Sequence, residues 1–308
     1  TVFFEGEEES GAPSLVPFLK DNADELSADV ALICDTDMFD DTPAIVTQLR
    51  GLLGEEIIVT AANRDLHSGH YGGMAANPAR VLAGILAGLH DDRGRITVPG
   101  FYDGVPPLDP MLRTQWDELG FVPGEFLGEV GLSQPAGEEG KSPLEMVWSE
   151  PTCEINGMIS GYTGEGFKTV LPAPASAKLR FRLVGSHDPL AIRESFRAMV
   201  RDQIPPDCSV EFRDHGASPA SHMRTDAPAF ETARQALSRE WEREAAFIGA
   251  GGSIPVAGYF QTHLGMDSLL IGFGRSDDAI HSPNEKYDLA SFHKGIRSWV
   301  RILAALSA

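Results

Sequence analysis

Three carboxylates in a row constrain this chain more than any other feature. It opens Thr1-Val2-Phe3-Phe4-Glu5-Gly6-Glu7-Glu8-Glu9-Ser10-Gly11, an apolar run that breaks into acids and then a Ser-Gly turn. Adjacent like charges repel, so three glutamates at the end of a buried strand need either full exposure or a strong cation beside them. Two readings of the stretch stay open. One is an acidic turn leading into a helix, whose positive N-terminus favours carboxylates; the other is a set of ligands for a metal ion.

The rest of the chain reads as alternating strands and helices. Ser14 is a candidate N-cap for a helix to about residue 19. Val30-Ala31-Leu32-Ile33-Cys34 is a β-prone run that delivers Asp35 at its C-terminal end, where open α/β sheets bind ligands. An Asp starting a turn is the plainer account of the same residue. Ile57-Ile58-Val59-Thr60 is another short strand, Asp65 to Gly73 a glycine-rich loop, and Asn77-Pro78 the cap and first position of a helix whose apolar face is Val81, Leu82, Ile85, Leu86 and Leu89. Residues 94–140, rich in Pro, Gly and acids, read as an irregular surface insertion. Residues 178–184 alternate as a half-exposed strand, Asp188-Pro189 caps a helix, and 209–212 form a further strand. A helix over 229–244, a strand over 268–272 and a helix over 289–306 complete the chain.

A chain of 308 residues exceeds one typical core, so two domains are expected. Two strand-helix pairs that follow a shift in composition suggest that one of these domains is a small α+β domain with helices on one face of an antiparallel sheet. Hydrophobic content of 42% with 23% charged residues marks a globular protein. The 45 acidic and 25 basic residues give a net charge of −20, a field that repels nucleic acid and anionic membrane. Cys34, Cys153 and Cys208 are odd in number and far apart, which predicts reduced thiols and a cytoplasmic protein. No apolar run reaches the ~18 residues of a membrane span.

Glu8, Glu9, Asp35 and His281 each sit where a strand gives way to a turn or loop. Carboxylate and imidazole donors held at such places suit Zn²⁺. Six segments then occur in an order that carries a resemblance: residues 4–11, Cys34-Asp35-Thr36, Asp65-Leu66-His67-Ser68-Gly69, Lys168-Thr169-Val170-Leu171-Pro172, Gly251-Gly252-Ser253-Ile254-Pro255 and His281-Ser282-Pro283-Asn284-Glu285. Together they resemble the motifs of the M20 family of dinuclear zinc metallopeptidases, which includes carnosinases and aminoacylases, and most of all its carnosinase-type dipeptidase branch.

The resemblance implies an α/β fold, a zinc-hydrolase domain with a mixed sheet flanked by helices, residues 1–53 and 216–308, interrupted by an α+β, ferredoxin-like lid domain, residues 54–215, and it implies roles residue by residue. Glu8 matches the general base, Glu9 and His281 the ligands of one zinc, and Asp35 a ligand of the other. His67 matches a residue that reaches across a homodimer, formed through the inserted lid domain, to steady the oxyanion in the partner's site. Thr169, Arg182, His215 and Ser253 match positions that hold the substrate, Arg182 its terminal carboxylate. Taken alone, each is as well explained as a polar loop residue, a turn-forming hydroxyl or a surface cation. The implied function is hydrolysis of dipeptides or short peptides by a metal-activated water, with two Zn²⁺ per full-length subunit, or Mn²⁺ or Co²⁺ in their place. The alternatives are N-acyl amino acid deacylation on the same scaffold and a non-catalytic scaffold or inactive fragment. In the family, a His and an Asp two residues apart, followed by a bridging Asp, precede the acidic turn. This sequence shows none of them, so it is expected to be an N-terminally truncated chain, inactive alone, of a full-length zinc dipeptidase.

Overall fold

Ala31, Leu32 and Ile33 form the strand β1 (Ala31–Ile33) in the computed structural model, which describes residues 1–307 apart from the Glu9 side chain. β1 pairs in parallel with β11 (Ser268–Leu270), which runs antiparallel to β2 (Ala44–Leu49). β2 pairs in parallel with β10 (Ala246–Ala250) and antiparallel with the two-residue β9 (Ser221–His222). The order β1-β11-β2-β10 makes a mixed sheet. Ile45, Val46, Leu49, Leu269 and Leu270 are buried, as strands covered on both faces require. The helices Pro228–Trp241 and Leu289–Leu306 pack on each other: Trp241 Nε1 donates to Ser298 Oγ at 3.0 Å, and buried Glu240 accepts from Arg297 at 2.6 Å and Arg301 at 2.7 Å. With the segments Thr1–Leu49 and Leu108–Phe121, this is one compact unit.

Two expectations need correcting here. The opening residues form no strand; Phe4 is 92% exposed, and the segment is held by Phe3, whose ring lies 5.6 Å from Phe18 and 6.4 Å from Phe260. A strand needs a ladder partner, and none among the described residues pairs with Thr1 to Glu5. Ser14 does not cap the helix Leu15–Asp21 with its side chain; its backbone N–H instead donates to Glu7 Oε2 at 3.1 Å.

Residues 94–140 are also less irregular than their composition predicts. They include the helices Pro110–Glu118 and Pro123–Gly128, and Leu108–Phe121 belongs to the first unit although 54–215 reads as a single insertion. The cause is long-range: Gln115 Oε1 accepts from Phe247 N and Trp116 Nε1 donates to Phe247 O, both at 2.9 Å, which satisfies the outer edge of β10 with side chains. The chain crosses between the units at 49/50 and 220/221 rather than at 53/54 and 215/216.

The second unit, Arg50–Pro107 and Val122–Ala220, is built on β3 (Gly51–Thr60), β5 (Thr152–Ser160), β7 (Pro174–Leu183) and β8 (Ser209–Ser218), all antiparallel in the order β5-β7-β3-β8. The helices Pro78–Ala87 and Pro189–Asp202 follow β3 and β7 in the chain, giving the β-α-β-β-α-β order of the ferredoxin-like motif. Both are capped as their sequences predict, by Asn77 Oδ1 at 3.0 Å from Ala79 N and by Asp188 Oδ1 at 2.9 Å from Leu190 N. Alternation decides the sheet faces. Ala175, Ala177, Leu179, Phe181 and Leu183 of β7 join Leu53, Ile57 and Val59 of β3 in a core with Leu82, Ile85, Phe196 and Val200 of the two helices. Lys178, Arg180 and Arg182 occupy the alternate positions, on the face away from those helices. A two-stranded ladder, β4 (Leu66–His67) with β6 (Val170–Leu171), extends beyond the Pro174 end of β7.

Candidate active site

In the first unit the loops that follow β1 and β11 interlock. Ile271 N donates to Ile33 O and Met38 N to Gly274 O, each at 2.9 Å. Because β1 and β11 are parallel, Asp35 and the loop bearing His281 leave the sheet at the same end. Asp35 and His281 are both exposed. Burial, and then the charges of Asp278 and Asp35, push the Asp37 carboxyl up. Burial also acts on Asp278, but its bonds from Lys286 Nζ at 2.9 Å and Arg275 N at 2.8 Å win and hold its carboxyl low. The loop after Asp278 is bent through left-handed residues at Ala279 (φ 56°), His281 (φ 58°) and Asn284 (φ 64°), a conformation that must be held by its surroundings. Lys286 N donating to Asp278 O at 2.9 Å closes it.

The acidic turn is a single 3₁₀ turn, Glu8–Ser10, ended by Gly11 in the left-handed region at φ 87°. Glu5 Oε1 accepts from Glu7 N at 2.9 Å and Glu7 Oε2 from Ser14 N, so two of the carboxylates serve the turn's own backbone, and Glu8 is exposed. The Glu9 side chain lies outside the described residues. Ser253, half-buried, follows β10, which is antiparallel to β11; the sheet therefore carries it to the end opposite Asp35.

In the second unit the structure brings the four singled-out residues together as two pairs. His67 lies opposite Val170 in the β4/β6 ladder, and Ser68 N donates to Thr169 O at 2.9 Å. His67 Nδ1 accepts from Gly69 N at 3.0 Å, so the neutral ring carries its proton on Nε2, and the ring stacks on His70 at 4.6 Å. Arg182 and His215 lie at the other end of the four-stranded sheet. Arg182 faces Leu52 across β3, and His215 sits in a bulge of β8 opposite Gly54. A Cβ on Gly54 would stand 2.7 Å from His215 O, so the bulge fits only over glycine. His215 Nε2 is 3.2 Å from Glu56 Oε2. The bulge is tied from the helix face by Arg193 Nη2, which donates to Asp214 Oδ1 at 2.6 Å and Gly216 O at 3.2 Å.

Asp37, Asp278 and Glu56 escaped the sequence reading. Asp37 lies two residues beyond Asp35 in the same turn, a signal that could have raised it; Glu56 is one of two adjacent glutamates in a strand, and only the register shows that it meets His215. Carboxylate oxygens and an imidazole at one end of a sheet, with a local surplus of negative charge, suit a divalent cation. Among the described residues, however, no three His, Cys, Asp or Glu side chains are grouped so as to hold one. No helix among them is long and apolar enough to cross a membrane.

Comparison with known proteins adds the family. The model of peptidase family M20/M25/M40 matches residues 1–305. A Cys-Gly metallodipeptidase of Candida albicans is 31% identical over 305 residues, covering 96% of this chain and 62% of its own length. Among solved structures, an M20 family metallo-carboxypeptidase of Sulfolobus solfataricus superposes with a TM-score of 0.84 at 28% identity over 97% of this chain and 68% of its own. Human carnosine dipeptidase 1 does so with a TM-score of 0.79 at 25% identity, over 98% and 64%. The chain thus spans a little under two thirds of the curated relative's length.

Proposed function

The chain belongs to peptidase family M20/M25/M40, and from that premise we propose that the protein carrying it hydrolyses dipeptides or short peptides. Membership implies a divalent metal. Glu9 and His281 on one side and Asp35 on the other are the proposed holders of two zinc ions, with Mn²⁺ or Co²⁺ as alternatives, and metal bound there would supply an acidified water and draw charge from the scissile carbonyl. Glu8 takes a proton from the attacking water and returns it to the departing amine. Arg182 clasps the peptide's terminal carboxylate with its planar fork, His215 at the same end of the sheet fixes the remaining backbone, and Thr169, which lies beside His67, acts with it from the partner subunit. His67 donates from Nε2 to the oxygen on which negative charge develops; the Gly69 bond to Nδ1 supports that tautomer.

The observation that carries this reading is a separation. Pro174 and Arg182 are eight residues apart on β7, about 27 Å at ~3.4 Å per residue, and His67 lies beyond the Pro174 end. A dipeptide cannot touch both in one chain. Two subunits exchanging His67 resolve this, which is why we assign a homodimer formed through the second unit, the proposed lid. The outer strand β5 carries exposed Ile155, Met158 and Ile159, a surface suited to such an interface. Three free cysteines support a cytoplasmic location.

Mixing tests the arrangement. Homodimers of His67→Ala and of Glu8→Gln should each be nearly inactive toward a dipeptide, whereas heterodimers of the two should regain about half the wild-type activity, because one of the two composite sites is intact. Normal turnover by Glu8→Gln homodimers would overturn the base assignment. Verified heterodimers without activity would overturn action across the dimer.

A further inference from the structure

Carboxylates are plentiful in a chain of net charge −20, and most buried or half-buried guanidiniums have found them: Arg193 and Arg197 at Glu55, and Arg234 at Glu231 and Glu244. Arg180 and Arg182 have not. Both are half-buried, and among the described residues neither has a carboxylate at ion-pair distance or an acceptor at hydrogen-bond distance. They occupy successive outward positions of β7, roughly 7 Å apart along the strand. The register explains why nothing neutralises Arg182: its cross-strand neighbours are Leu52 and Thr152. Arg180 stands between Gly54, which has no side chain, and Glu154, which is exposed and not paired with it. Burial, and then the charge of Arg180, lower the Arg182 guanidinium; burial, and then the charge of Arg182, bring Arg50 down to about 10 against the opposing effect of Glu154. Lys178 and Glu56, opposite each other across β7 and β3, are the next charges along this face.

Half-burying two neighbouring like charges with no counter-ion at ion-pair distance among the described residues is unfavourable, and a ligand that supplies the missing charge relieves it. One terminal carboxylate satisfies one guanidinium and leaves the other exposed to its neighbour. We propose that Arg180 forms a second anion subsite beside Arg182, so that the protein prefers peptides whose C-terminal residue carries a second carboxylate, aspartate or glutamate. The proposal rests on Arg182 holding the terminal carboxylate. A short aliphatic spacer between two carboxylates matches two long guanidinium side chains rooted two residues apart, and each carboxylate can take a forked pair of hydrogen bonds.

The test is equilibrium binding to this chain, followed by NMR titration, with glutarate as a dicarboxylate probe and butyrate as its monocarboxylate counterpart. Glutarate should bind about fivefold tighter than butyrate, and added salt should shrink the difference. Arg180→Gln should bring the ratio near one, whereas Arg180→Lys, which keeps the charge, should retain a preference. Arg182→Gln should weaken both probes. Equal affinities in the unaltered chain, or a preference that survives Arg180→Gln, would overturn the second subsite. Butyrate binding that ignores Arg182→Gln, or the absence of binding by either probe, would instead overturn the role of Arg182 from which the proposal starts.

Discussion

Two pairs of arginines, one against each face of the β5-β7-β3-β8 sheet, are treated in opposite ways. On the helix-covered face, Glu55 is fully buried and accepts from Arg193 Nε at 3.0 Å and Arg197 Nη2 at 2.7 Å, and Arg193 reaches on to Asp214. On the other face Arg213 pairs with Glu211 at 2.9 Å, but Arg180 and Arg182 stand side by side with no carboxylate among the described residues at ion-pair distance. Cations that tie a helix to a sheet are matched within the fold, because an unmatched charge there is costly. Arg180 and Arg182 are left for something that is not part of the chain. The comparison also separates two kinds of contribution to one site: Arg193 never faces the open side, yet it holds the bulge from which His215 does.

The largest expected effect lies on the covered face. Glu55→Gln keeps the shape but leaves two guanidiniums facing an amide, and should destabilise the protein by about 3–5 kcal/mol in urea unfolding. A loss near zero would mean that Arg193 and Arg197 are matched by water and that the two faces do not differ. A smaller effect is expected at a surface pair in the first unit, which calibrates what matching contributes in solvent. Bonds from Arg234, then Gln235, hold the Glu231 carboxyl at about 2 against an ordinary 4.5. Because the folded value is the lower one, the pair's contribution is complete above pH 4.5 and is lost as pH falls through about 2. Glu231 is nearly half exposed, so that contribution is under ~1 kcal/mol, read as the difference in acid unfolding between the parent and Glu231→Gln. The smallest effect is on the open face. Arg182→Met, which keeps the aliphatic stem, should leave the unfolding free energy within about 0.5 kcal/mol of the parent or raise it slightly. A loss of several kcal/mol would show a hidden partner and erase the contrast between the faces.

Much of this molecule follows from neighbours in sequence. Asn77-Pro78, Asp188-Pro189 and Asp288 start helices because the cap side chain and the amides it accepts from are within three residues of each other. The inward and outward faces of β7 follow from strict alternation, and Asp35 stands just past the strand that predicts it. The ordered motifs likewise point to the family whose model covers residues 1–305. Other features depend on residues far apart. β10 looks ordinary until Gln115 and Trp116, more than 130 residues away, close its edge; Glu55 is one of two adjacent glutamates until Arg193, 138 residues on, reaches it. Arg180 and Arg182 are likewise indistinguishable from paired arginines in the sequence. Capping and alternation act within a few residues and are written locally, whereas strand register and burial arise only when distant segments meet, and it is register that gave Glu55 its arginines and left Arg182 facing Leu52 and Thr152.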